Sequence, residues 1–196
     1  MTFNSIRFLV FLAAVVPLFY ALRHRFRWIL LLGASIYFYM CWRPEYIVLL
    51  LASAVVDYWA GLRMGAQPEK EARKPYLYVS LVSNLGLLFA FKYLGFLNDS
   101  ARTVAELIGS SWPIPHLDIL LPVGISFYTF QTMSYSLDVY YGRQVPERHF
   151  GIFLLFVSYF PQLVAGPIER AGNLLHQLKA RVAFDPHRMA SGAKMM

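Results

Sequence analysis

The sequence holds one cysteine, Cys41. A lone thiol excludes an internal disulfide and any cysteine-built metal cluster. Charge is also scarce. The 18 Lys+Arg and 11 Asp+Glu make up 15% of 196 residues, against about 25% for a soluble domain. So few charges cannot cover a soluble surface evenly, and they cluster between long apolar runs. The five histidines are His24, His116, His149, His176 and His187. None pairs with another at i, i+4 and none lies inside an apolar run, so they offer neither a metal site nor a base. Walker A and G-x-G-x-x-G loops are missing. Gly124-Ile125-Ser126-Phe127 begins like a nucleophile elbow, but Tyr128 occupies the position that needs glycine. There is no internal repeat and no low-complexity linker.

What is abundant is apolar surface. Hydrophobic residues reach 58%, above the roughly 45–50% of soluble domains, and the mean hydropathy is +0.46. This composition predicts an integral membrane protein. The net charge of +7 does not point to nucleic acid. The basic residues sit in short loops beside apolar runs, where they set membrane topology.

Six runs follow. Phe8–Leu22 lacks a small-x-small cleavage site and meets Arg23, Arg25 and Arg27, as a retained anchor would. Trp28–Trp42 is short; at about 1.5 Å per residue it reaches roughly 22 Å of a core about 30 Å thick. Tyr46–Ala60 carries Asp57 near its end, beside Tyr58 and Trp59, as an interfacial residue would sit. Tyr76–Leu97 is the clearest full-length span, with Asn84, with Lys92 placed to snorkel, and with a Gly86/Ala90 pair for close helix approach. Asn98–Leu117, with Trp112-Pro113-Ile114-Pro115, is expected to be a loop. The fifth run starts near Pro122, a good first helical position, and continues to about Tyr141. The sixth starts at Phe150 and is interrupted by Pro161 and Gly166-Pro167. Cys41 is expected to be a small buried side chain at a helix end.

These runs predict an all-α, multi-pass helical membrane protein with about five spanning helices plus a broken or re-entrant segment. Residues 1–168 form the membrane domain and 169–196 a basic, cytoplasmic tail. Loop charge orients it. One alternate set of loops holds Arg23, Arg25, Arg27, Arg63, Lys70, Arg73, Lys74, Arg143 and Arg148; the other holds Arg7, Arg43 and Arg102. The richer set belongs in the cytoplasm, which places the N-terminus outside. A re-entrant sixth run keeps the basic tail on the same side. Broken backbone at membrane depth must itself be buried in protein or line a wet cavity.

In the fifth run Gly124, Tyr128, Gln131, Tyr135 and Asp138 step by four and three, so they share one helix face. A lipid-facing stripe has no use for glutamine and aspartate in line. Tyr128, Gln131, Tyr135 and Asp138 are therefore candidates to line a polar cavity. The alternative is that they hydrogen-bond to neighbouring helices, and for Asp138 that it lies at the interface.

Leu121-Pro122-Val123-Gly124-Ile125-Ser126-Phe127-Tyr128-Thr129-Phe130-Gln131, then Ser134-Tyr135 and Asp138-Val139-Tyr140, resembles the signature of bacterial membrane-bound O-acyltransferases. The alginate O-acetyltransferase branch is the most similar. Phe160-Pro161-Gln162-Leu163 with Ala165-Gly166-Pro167-Ile168 and Arg170 is similar to the next family motif. Phe91-Lys92-Tyr93, Asp57-Tyr58 and Phe3-Asn4-Ser5 also fit. The resemblance covers essentially the whole chain in order. It implies a multi-pass enzyme of the bacterial inner membrane that moves acyl groups, usually acetyl, onto hydroxyls of an exported polysaccharide such as alginate. It further implies a helix-lined tunnel, an acyl donor such as acetyl-CoA as substrate with no resident cofactor or metal, and acetylation partners outside the membrane.

The family's catalytic histidine is expected in a later helix, beyond Met196, so the chain is expected to be an N-terminal portion, inactive alone, with no catalytic residue of its own. A non-catalytic scaffold that docks partners, or half of a transporter, stands as the alternative.

Overall fold

The computed structural model describes residues 5–109, 113–115, 122, 124–163, 169–187 and 191–192. All regular structure among them is helical. Nine α-helices follow in order: α1 Ile6–Ala21, α2 His24–Met40, α3 Ile47–Gly65, α4 Lys70–Lys92, α5 Leu94–Leu107, α6 Ile125–Tyr140, α7 Phe150–Ser158, α8 Phe160–Leu163 and α9 Ala171–Lys179. A 3-10 turn, Pro44–Tyr46, leads into α3.

Local chemistry sets several of these ends. The Ser5 hydroxyl accepts from the Phe8 N–H at 3.2 Å and starts α1. Gly124, at φ 77°, caps α6 in the left-handed region that a side chain disfavours. Helix α6 therefore begins at Ile125 and not at Pro122. His149 starts α7, its Nδ1 accepting from the Ile152 N–H at 3.3 Å. The interruption after α7 falls at Tyr159, whose ψ of 108° is extended. Pro161 follows inside the first turn of α8, where a missing N–H costs little.

Helices α3, α4 and α6 pack on one another, α7 lies against α2 and α3, and α9 packs on α7 and α6. Helix α7 is apolar all round and is buried from Phe153 to Ser158. The outer faces are apolar too: Ile6 is 79% exposed, Val82 69% and Leu107 81%. The interior holds Asp57, Ser80, Asn84, Thr129, Gln131, Thr132 and Ser136. An apolar outer face around a core that encloses a cluster of polar side chains departs from the pattern of a soluble domain.

Among the described residues one helix, extended by its leading turn to Pro44–Gly65, is long and apolar enough to cross a bilayer. Helices α4 and α5 pass the same test as a pair, bent by 51° at Tyr93. The run Tyr76–Leu97 is thus two helices, not one straight span. Residues expected to loop from Asn98 are helical as far as Leu107. Asn98 Nδ2 donates to the Pro115 carbonyl at 2.9 Å and Arg102 to the Ile114 carbonyl at 2.9 Å, which holds residues 113–115 against α5. Cys41, expected to be buried, is exposed at the end of α2. No described atom lies within 4 Å of a Cβ built on Gly86, so no described helix uses that close-approach site.

Gly65 supplies a close approach that is used. A Cβ there would strike the Pro146 ring, with Pro146 Cδ at 3.0 Å. A proline ring cannot swing aside, so the loop carrying it must move. Gly65→Ala gains up to about 1 kcal/mol of helix propensity and loses about 1–3 kcal/mol to overpacking. The expected net result is a lower unfolding midpoint in detergent, against the usual sign of Gly→Ala in a helix.

Candidate functional site

Two polar groups occupy the interior. The first lies in the α3–α4–α6 seam. Asp57 is fully buried, at 0% exposure, and not interfacial as its neighbours Tyr58 and Trp59 lead one to expect. Ser80 Oγ donates to Asp57 Oδ1 at 2.5 Å, and Asn84 Nδ2 donates to both carboxylate oxygens at 2.8 and 2.9 Å. Ser136 Oγ lies 2.8 Å from Ser80 Oγ, and Thr132 Oγ1 donates to Asn84 Oδ1 at 3.1 Å. Three helices thus converge on one carboxyl group. The cluster pairs a carboxyl with alcohols and an amide, so it has no imidazole or amine base to activate a hydroxyl.

The second group is the face singled out on α6. Gly124 serves it as the αL cap described above. Tyr128, Gln131 and Tyr135 are all buried. Gln131 Nε2 donates to the Phe156 carbonyl at 2.9 Å and to Gln162 Oε1 at 3.2 Å. Because α7 stops at Ser158, the Phe156 carbonyl has no helical N–H to accept, and Gln131 supplies one. The Tyr135 hydroxyl accepts from the Glu147 N–H at 3.0 Å. Glu147 is itself buried, pairs with Lys179 of α9 and accepts from the His149 N–H at 3.0 Å. Asp138 is half-buried, and its carbonyl accepts from the Arg143 and Gln144 N–H groups at 2.8 and 3.2 Å, closing the turn after α6.

Tyr128 differs. Its hydroxyl is buried and has no hydrogen-bond partner among the described residues; the hydroxyls of Tyr39 and Thr129 share that condition. Such groups are costly in a packed interior unless something else meets them.

Helical periodicity picks out Tyr128, Gln131 and Tyr135 but not Ser80, Thr132, Ser136 or Glu147, and Gln162 is marked only by the family motif around Pro161. The signal for Ser80, Thr132 and Ser136 is present. Ser80/Asn84 and Thr132/Ser136 are i, i+4 polar pairs on helices facing Asp57. Among the described residues no group of three or more His, Cys, Asp or Glu is placed to hold a metal ion. The motif residues Leu121, Val123 and Ala165–Ile168 lie outside the described residues, as do Phe3 and Asn4.

Known proteins decide between an enzyme family and an unrelated bundle. The chain is 39% identical over 183 residues to the protein named "Probable alginate O-acetylase AlgI" in Pseudomonas aeruginosa, covering 92% of this chain and 35% of that one. The protein of the same name in Azotobacter vinelandii is also 39% identical over 183 residues, with 36% of its length covered. The chain belongs to the same family as these O-acetylases. A "Peptidoglycan O-acetyltransferase" of Helicobacter pylori is 31% identical over 176 residues, covering 78% of this chain and 32% of that one. The chain thus spans about a third of the length of these curated relatives. No family model matches it, and no solved structure is similar to it.

The O-acyltransferase resemblance of the chain therefore holds at the level of the family. The Pro122–Gln131 and Phe160–Leu163 segments meet where Gln131 bonds Gln162.

Proposed function

We propose that the protein to which this chain belongs is a multi-pass membrane enzyme transferring acetyl groups from a soluble acyl donor, such as acetyl-CoA, to hydroxyls of an exported polysaccharide. The observation that carries this reading is the 39% identity to alginate O-acetylases over 92% of the chain. The apolar outer faces and polar seams described above support a home among lipids and further helices. In this reading the Tyr128–Gln131–Tyr135 face, with Asp138 at its end, forms part of the wall of the transfer path. The orphan hydroxyl of Tyr128 favours that role. Residues 1–168 belong to the membrane unit and 169–196 lead onward on the cytoplasmic side. Partners that complete the acetylation act outside.

The test is complementation. The complete reading frame, expressed in a bacterium lacking its own polysaccharide O-acetylase, is expected to restore acetyl esters on the exported polymer. The 196-residue chain alone is expected to restore none. Esters at background level with the complete, membrane-inserted protein would reject the transferase reading.

Orientation has its own test. With nine loop Lys and Arg on one side against three on the other, the N-terminus lies outside and Lys70 faces the cytoplasm. A reporter active only in the periplasm is expected to be silent when fused after Gln67. Activity there reverses the orientation.

A further inference from the structure

A cleft outside both polar groups has two chambers that share a wall. The first has a volume of about 400 Å³ and is lined by His24, Arg27 and Gln177 on its polar side. The second, of about 240 Å³, is bounded by Leu12, Val15, Val16 and Pro161 and runs between α1 and α8. Phe19, Leu31 and Tyr159 line both, so the chambers are neighbours across those side chains. Among the described residues no carboxylate lines either one.

The polar chamber is cationic and incompletely satisfied. Arg27 donates from Nε to the Leu22 carbonyl at 3.2 Å and from Nη1 to the Val182 carbonyl at 2.6 Å. Both partners are neutral, so no described anion compensates the positive charge there. The guanidinium lies 4.7 Å from the Phe19 ring centre, which holds it at the boundary between the chambers. His24 Nδ1 is buried and has no hydrogen-bond partner among the described residues. Arg23 and Arg25 are the chain neighbours of His24 and add positive charge at the start of α2.

A cation at the head of an apolar slot complements an anionic head carrying a hydrocarbon tail. We propose that this cleft binds one anionic phospholipid, with its phosphate at Arg27 and His24 and an acyl chain along Val15 and Val16. Basic pockets between membrane helices hold anionic headgroups in this manner. The inference rests on the membrane residence proposed above and not on acyl transfer. Co-sedimentation of the chain with membranes tests the residence; lipid selectivity tests the cleft.

The 196-residue chain, purified in detergent, is incubated with phosphatidylglycerol or phosphatidylcholine and examined by native mass spectrometry. One retained phosphatidylglycerol is expected, with about a tenfold preference over phosphatidylcholine. Gln177 is exposed, so Gln177→Glu adds a negative charge at the mouth without disturbing packing. It is expected to abolish the preference at an unchanged circular dichroism spectrum. Val16→Trp fills the apolar chamber and is expected to reduce retention of either lipid. Equal retention of the two lipids, or a preference that survives Gln177→Glu, overturns the proposal. Inorganic phosphate is not expected to displace phosphatidylglycerol. Displacement at equal concentration would mark a free-anion site and overturn the lipid assignment.

Discussion

Asp57→Leu is expected to cost the chain a large part of its stability in the membrane. The substitution removes the acceptor for Ser80 Oγ and for Asn84 Nδ2. Ser80 Oγ keeps Ser136 Oγ and Asn84 Nδ2 keeps the Ser80 carbonyl, but the hydrogens that met the carboxyl group lose their acceptor inside a buried seam, and each such loss costs about 1–3 kcal/mol. Hydrogen bonds between membrane helices are often weaker, about 0.6 kcal/mol on average. Even that figure, taken over the bonds to the carboxyl group, removes more than 1 kcal/mol from a total near 5–15 kcal/mol. Leucine offers little in return, because an apolar side chain gains little on moving from lipid tails into a helix interior. The expected loss is about 3 kcal/mol, measured as unfolding in detergent against wild type. Asp57→Asn keeps the shape and one acceptor oxygen and is expected to lose less than half of that. Adding Ser80→Ala to Asp57→Leu removes one hydroxyl from a seam that has lost its carboxyl acceptor, leaving Ser80 and Ser136 no longer competing for the acceptors that remain, and is expected to restore part of the loss. An Asp57→Leu protein that unfolds with the wild type would show that the seam is held by packing alone.

That seam marks the limit of what periodicity reveals. The existence of most helices is legible because apolar runs bounded by Arg, Trp and Pro leave few other solutions in lipid. Their ends are less so. Tyr93 breaks the fourth run without a proline or a glycine at the position, and only the 51° turn into α5 exposes the break. Helix α5 was hidden for a related reason. It mixes polar with apolar residues and so does not read as a span, and the prolines at 113 and 115 point to a loop; yet Asn98 and Arg102 use the carbonyls of that same Pro-rich segment as acceptors. Asp57 was misplaced because two aromatic neighbours mimic an interfacial belt, whereas its register turns it toward Ser80 and Asn84.

The helix face of α6 shows the opposite case. Stepping by three and four picked out Tyr128, Gln131 and Tyr135 as a polar line, and all three are buried. Periodicity alone does not say what each one meets. Gln131 meets a broken helix, since Phe156 needs a donor only because α7 stops two residues later. Tyr135 meets the buried loop at Glu147, which ties α6 through Lys179 to α9. Two of the three therefore bear on the architecture around the break, and the third does not.

This difference separates two substitutions that look alike on paper. Gln131→Leu removes the donor to the Phe156 carbonyl and leaves Gln162 Oε1 without that contact. It is expected to destabilise the protein by about 1–3 kcal/mol and to lower the amount inserted in the membrane. Tyr128→Phe removes a hydroxyl that has no partner among the described residues. Its ring stays, so packing is kept, and stability is expected to hold or to rise slightly, because no satisfied bond is lost. If the hydroxyl borders the transfer path, as proposed, it meets substrate or ordered water during turnover. Losing one such interaction in the transition state, worth about 1.4 kcal/mol, lowers the rate about tenfold. The measurement is acetyl ester on exported polysaccharide per inserted protein, with each variant built in the complete reading frame. Gln131→Leu is expected to lose protein and Tyr128→Phe to lose acetylation at normal protein. Normal acetylation per inserted Tyr128→Phe protein would remove that hydroxyl from the path, and wild-type stability of Gln131→Leu would remove Gln131 from the repair of the broken helix.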